Sequence, residues 1–161
     1  MRSTFRNGFW AGLLVTFFLG LWLVRLWGAE NQVRLHSEHL VHQVERRNWN
    51  AVGEFIAPEY RDDWGHDRAQ LLNRLRFVGR FFFDLTITTS AARAEVHVPE
   101  GTWQAQIHLD GRGEAAAEIT ARVNRLTTPF ILHWHRASGK PWDWKLVKAT
   151  NETLEIPSGE F

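Results

Sequence analysis

The apolar residues of this chain change their spacing at Phe81, and that change constrains the fold more than any other feature. Before it they recur every three or four positions: Val33, Leu40, Val41 and Val44, then Val52, Phe55 and Ile56, then Leu71, Leu72, Leu75 and Val78. That is the period of amphipathic helices. After it apolar and polar residues alternate, the period of strands with one buried face. Helices first and strands afterwards is an α+β order, with the helices packed on one face of an antiparallel sheet.

The punctuation sets the boundaries. A first helix is expected from Glu30 to Asn48. Asn48 then caps a short second helix that stops at Pro58. The stretch Glu59 to His66 reads as a loop, and Asp67 as the N-cap of a third helix, Arg68 to Arg80. Strands are expected at Phe83–Thr89, Arg93–Val98, Thr102–Asp110, Ala115–Leu126, Phe130–Arg136 and Trp142–Thr150, separated by Gly-, Pro- and Ser-bearing turns. The expected architecture is three helices packed on one face of a curved antiparallel sheet of about six strands.

At 161 residues the chain has the length of one domain. Its 19 Lys and Arg nearly balance its 18 Asp and Glu, but unevenly. All 18 acidic residues lie from Glu30 onward, whereas Arg2, Arg6 and Arg25 precede it, leaving 16 basic against 18 acidic beyond that point, a net of −2. Binding nucleic acid by phosphate neutralisation wants a basic excess, so no nucleic-acid partner is expected. The absence of Cys excludes a disulfide framework, a thiolate metal site and a cysteine nucleophile.

Phe9 to Val24 is uncharged, and residues 8–28 would reach about 31 Å as a helix, enough for a hydrocarbon core. The bulky Trp27 before Gly28-Ala29 argues against a cleaved signal peptide. The expectation is a cytoplasmic tail and transmembrane anchor over residues 1–29, an α+β domain over 30–157 and a loose tail over 158–161. Arg2 and Arg6 favour an inside N-terminus. The chain thus reads as a single-pass protein of the inner or plasma membrane with its domain outside the cytoplasm, the membrane contacted through residues 8–28.

Three segments carry a family likeness: Tyr60-Arg61-Asp62 after the second helix, Trp64-Gly65-His66-Asp67-Arg68 opening the third, and Gly139-Lys140-Pro141-Trp142-Asp143-Trp144-Lys145-Leu146 near the end. With the element order, they make the chain over about residues 30–150 resemble the nuclear-transport-factor-2-like superfamily. That cystatin-like cone fold, which the resemblance implies for this chain, is shared with ketosteroid isomerase and SnoaL-like polyketide cyclases. The resemblance implies that the Gly-Lys turn of the last segment precedes a Trp plugging the core. It also implies that any small molecule binds in the cone between sheet and helices. The superfamily holds enzymes, ligand binders and interaction domains, so the likeness leaves function open.

Alternation shows which side chains face that cone. One strand face carries Leu85, Ile87, Ala94, Val96, Trp103, Ala105, Phe130, Leu132, Trp134, Trp144 and Leu146. The other carries Asp84, Arg93, Glu95, Gln104, Gln106, Glu118, His133, His135, Asp143 and Lys145. Burying the second set unpaired would cost several kcal/mol per charged group, so the first is the core. The cone is then lined by Trp103, Phe130, Trp134 and Trp144, and offers a general acid or base no obvious seat. A polar ligand site at its mouth would draw on Tyr60, Asp63, Trp64 and Arg68; the plainer reading has Asp62, Asp63 and Asp67 capping helices and pairing with Arg61 and Arg68.

His97, His108, His133 and His135 lie on the exposed face without a metal-ligand motif, and His36, His39 and His42 drift around the first helix as a solvated face. No metal and no cofactor is expected, and no glycine-rich phosphate loop is present. The polar sheet face suits a homodimer or a partner protein, and the apolar cone a small apolar ligand. The reading is a non-catalytic binding or interaction module, with a SnoaL-like isomerase, cyclase or hydrolase of a small hydrophobic substrate as the alternative.

Overall fold

A computed structural model describes residues 13–20, 22 and 28–154. Helix α1 runs Ala29–Glu45, α2 Trp49–Phe55 and α3 Arg68–Gly79. Strands β1 (Asp84–His97) and β2 (Glu100–Arg112) form a long ribbon, helix α4 (Ala116–Asn124) follows, and β3 (Phe130–Arg136) and β4 (Trp144–Thr150) complete an antiparallel meander in chain order.

Local chemistry places the helix starts where the sequence does. The Asn48 side chain accepts from Ala51 N–H, and Asp67 and Gln70 form a reciprocal capping box at α3. Inside, Val33 and Leu40 of α1 and Val52 of α2 are buried against Trp103, Ala105, Trp134, Trp144 and Leu146 of the sheet. Gly101 lets α1 close on that sheet. A Cβ there would stand 2.8 Å from Val33 Cγ2 and 3.3 Å from Trp144.

The sheet has four strands, not six, for two separate reasons. The expected break at Ser90-Ala91 is a bulge inside β1: pairing with β2 shifts register between Ser90 and Arg93, and Ala91 takes φ +52°. The expected strand Ala115–Leu126 is the helix α4. Its alternation coincides with a helical spacing, Ala116, Ile119 and Val123, and the run Ala115-Ala116-Ala117-Glu118 favours helix.

Helix α4 stands beside β2 beyond the end of β3, whose pairing with β2 stops at Ala105. There the Asn124 carboxamide does the work of a neighbouring strand. It accepts from Leu109 N–H at 2.8 Å and donates to Leu109 C=O at 2.9 Å. The free edge of β4 is covered in another way: Ala57 N–H donates to Leu146 C=O and Arg61 N–H to Val147 C=O. β1 is the other edge of the sheet.

Several side chains depart from their expected faces. Val78, Phe83, Val98 and Trp142 are exposed, since each sits at or beyond an element's end where no layer covers it. His36 turns inward, its ring edge-on to Phe55 and Trp134 at about 6 Å, with Nδ1 on Gln32 C=O.

The expected membrane span also needs correction. Most of residues 8–28 lies outside the described residues; within it residues 13–20 and 22 are helical. Among the described residues no helix is long and apolar enough to cross a membrane. The single-pass reading is therefore not upheld, and the placement outside the cytoplasm that rested on it falls too.

Candidate functional site

The polar centre of the molecule is the loop between α2 and α3. Asp62 is buried there, and its two carboxylate oxygens take every donor the loop turns inward. Oδ1 accepts from His66 N–H at 2.7 Å and Trp64 N–H at 3.1 Å. Oδ2 faces His66 Nδ1 at 3.0 Å and the Tyr60 hydroxyl at 3.5 Å. Gly65, at φ +83°, supplies the reversal that brings His66 back over Asp62. Tyr60 is fully buried; burial, then the adjacent Asp62 carboxylate, push its phenol well above the ordinary value. Tyr60, Asp62 and His66 thus form one buried network whose carboxylate is already saturated.

The four residues expected at a cone mouth each take a different partner. Tyr60 faces the core and has no exposed surface. Asp63 pairs with Lys148 at 2.6 Å on the surface. Trp64 donates its indole N–H to Leu154 C=O at 2.7 Å. Arg68 lies against α2, donating to Gly53 C=O at 2.7 Å. Of the expected carboxylate roles, Asp67 both caps α3 and approaches Arg61 at 3.8 Å, whereas Asp62 serves His66 instead of an arginine.

Of the residues expected to line the cone, Trp103, Trp134 and Trp144 are fully buried, and Phe130 is half-buried outside the central cluster. Trp144 donates to Pro141 C=O at 2.9 Å, while the indole N–H groups of Trp103 and Trp134 are buried without an acceptor. Three indoles and Tyr60 occupy the space between helices and sheet. Each contributes on the order of 4 kcal/mol of apolar transfer, an upper bound.

The sheet's other face is wet. Thr102, Gln104 and His133 are half-buried, and Arg93, Glu95 and Gln106 exposed. His135 meets Glu100 at 2.8 Å across β2 and β3. Partial burial, then Lys148, hold the His133 imidazole below its ordinary pKa. Among the described residues no three His, Asp or Glu side chains are arranged to hold a metal ion.

Sequence reasoning missed two features. The pairing of Asp62 with His66 was legible only as a spacing of four across Trp64-Gly65, a turn signal. The second is an arginine-lined groove beside α3, of about 460 Å³, bordered by Arg61, Arg68 and Arg76. Its signal was the lack of any acidic residue from Arg68 to Arg80.

No family model matches this chain, and no curated protein does. Solved structures match its fold. A nuclear-transport-factor-2-like superfamily protein of Salmonella enterica serovar Typhimurium superposes with a TM-score of 0.60 at 13% identity, covering 83% of this chain and 96% of that one. A protein of Shewanella frigidimarina named as a candidate ketosteroid isomerase gives 0.57 at 12% identity, covering 76% and 95%. Bd1075 of Bdellovibrio bacteriovorus gives 0.58 at 6% identity over 73% of this chain, which spans only 38% of that protein. The architecture is therefore a nuclear-transport-factor-2-like α+β fold. At such identities the likeness reaches the fold and stops there.

Proposed function

We propose that this chain is a non-catalytic interaction module that binds a second copy of itself, or another protein, through the polar face of its sheet. The observation supporting this reading is the occupied interior. Trp103, Trp134, Trp144 and Tyr60 fill it, and Asp62, the one carboxylate among the buried described residues, is saturated by its own loop. A general base needs a free lone pair within reach of substrate, and Asp62 has none to spare. The sheet face by contrast presents Thr102, Gln104 and His133, a hydrogen-bonding surface of the kind found in wet interfaces.

Native mass spectrometry of the intact chain tests the reading. A dimer that Gln104→Glu combined with His133→Glu converts to monomer supports it. A chain that stays monomeric at about 100 μM and captures no protein partner refutes it.

A second reading stands beside it: an enzyme, an isomerase, cyclase or hydrolase acting on a small hydrophobic substrate. It is favoured by the fold likeness to a candidate ketosteroid isomerase and by Tyr60, Asp62 and His66 being titratable groups turned inward. This reading requires the indoles to make room. A small apolar molecule retained in the native spectrum, and released by Trp103→Ala or Tyr60→Phe, would move the balance to it.

A further inference from the structure

The groove beside α3 has a charge pattern that folding does not explain. From Arg68 to Arg80 there are four arginines (Arg68, Arg74, Arg76 and Arg80) and no acidic residue. Subtracting them from the 19 basic residues leaves 15 against 18 acidic, so the rest of the chain carries −3 while this segment carries +4. Arg76 in the last turn and Arg80 at the C-cap suit the helix dipole, but Arg68 in the first turn opposes it, and Arg76 and Arg80 repel at i, i+4. A surface tuned for solubility would intersperse both signs.

Arg68 is held in place without being neutralised, while Arg61 and Arg76 reach the groove from more exposed positions. Arg68 Nη2 is anchored on Gly53 C=O, with Nε buried and lacking an acceptor. Arg76 Nη1 donates to Asn73 Oδ1 at 3.2 Å, a neutral partner. Arg61 reaches Asp67 only at 3.8 Å, the one ion pair of the groove among the described residues. A second groove, of about 370 Å³, shares Arg76 and adds Arg47 and Arg80, and Arg47 is fixed by Phe82 C=O at 2.7 Å and Phe83 C=O at 3.2 Å. Carbonyl anchoring orients a guanidinium without cancelling its charge, which is how a preorganised anion receptor is built.

We propose that the first groove binds a small organic molecule bearing a phosphate or pyrophosphate group. Arg61, Arg68 and Arg76 take the oxygens, and Pro58, Ala69 and Leu72 take the uncharged part; Asn73 and Asp67 complete the lining, the Asp67 carboxylate being engaged by the α3 cap and Arg61. The site lies on the helices and is independent of the sheet face proposed above. Local rules of helix design are broken where a ligand restores the balance.

Isothermal titration of the intact protein with pyrophosphate and with phenyl phosphate is the test. Binding should appear at sub-millimolar concentration, roughly −4 to −6 kcal/mol, and should raise the melting temperature at saturation. Arg76→Gln should weaken it at least about tenfold, with Arg61→Gln as a second variant at an exposed position. Arg93→Gln removes the same charge from distant β1 and should leave it unchanged. No heat and no melting shift at about 5 mM of either probe overturns the proposal. Equal weakening by Arg76→Gln and Arg93→Gln also overturns it, since diffuse charge would then suffice. So does tight binding of polyglutamate or an oligonucleotide with none of pyrophosphate, which would make the groove a track for a polymer.

Discussion

Replacing Asp62 by Ala should be among the more damaging single changes in this protein, although its ion-pair partner among the described residues is a histidine and not an arginine. The substitution strands three donors that the loop turns inward: His66 N–H at 2.7 Å, Trp64 N–H at 3.1 Å and His66 Nδ1 at 3.0 Å. Hydrogen bonds to a charged acceptor contribute about 1.5–3 kcal/mol each, and a buried donor left unpaired costs about 1–3 kcal/mol. Trp64 is half-buried, so its N–H finds water at little cost, whereas both His66 groups are buried. Two such losses give about 3–6 kcal/mol, a large share of a typical 5–15 kcal/mol domain stability. With a urea m-value of about 2 kcal/mol/M the midpoint should fall by about 2 M at unchanged m. Tyr60→Phe removes only the 3.5 Å contact and should cost under about 1 kcal/mol. If Asp62→Ala shifts stability by less than about 1 kcal/mol, the loop's donors reach water in its absence, and the claim that Asp62 organises this region is wrong.

Three further substitutions probe other parts of the same argument. Gly101→Ala places a methyl 2.8 Å from Val33 Cγ2 and should cost about 1–3 kcal/mol in urea unfolding; adding Val33→Ala should cost less than the sum of the two. Asn124→Ala leaves Leu109 N–H and C=O without the carboxamide, and amide exchange at Leu109 should accelerate at least about tenfold, read by hydrogen-exchange NMR. Because the folded-state pKa of His133 lies below its unfolded value, its neutral form is favoured on folding. That stability is present above pH about 6.5 and lost as pH falls below it. His133→Gln should flatten the fall in stability between about pH 6.5 and 5, measured by denaturation across that range.

The element types before Phe81 were legible because caps and periodicity agreed. Asn48 and Asp67 sit where chain entropy and orphan N–H groups both want a short polar acceptor. The α+β fold followed from that element order, with the loop after the second helix and the final hairpin in support. What failed was reading period alone. Ala116, Ile119 and Val123 satisfy a helix as well as their alternate neighbours satisfy a strand, and only the short β3 leaves room for α4. At Ser90-Ala91 the small residues that signal a turn also permit a bulge, and the long β2 across from them decides which forms. Which partners Tyr60, Asp63, Trp64 and Arg68 would take was not legible, because it depends on the path of the loop and on residues far along the chain. The loop reversal at Gly65 sends Asp63 toward Lys148 and Trp64 toward Leu154, and Arg68 down onto α2.

The unequal edges of the sheet carry a consequence for how copies of this chain can join. One margin, β4, is already occupied by the backbone of Ala57 and Arg61; the other, β1, is fourteen residues long and has no strand outside it among the described residues. A sheet with a single open margin has only one growing end. If two molecules pair strand to strand along β1, each uses its sole vacancy and presents a closed margin on the far side. Association by this route therefore ends at a symmetric pair, and a fibre cannot propagate from it.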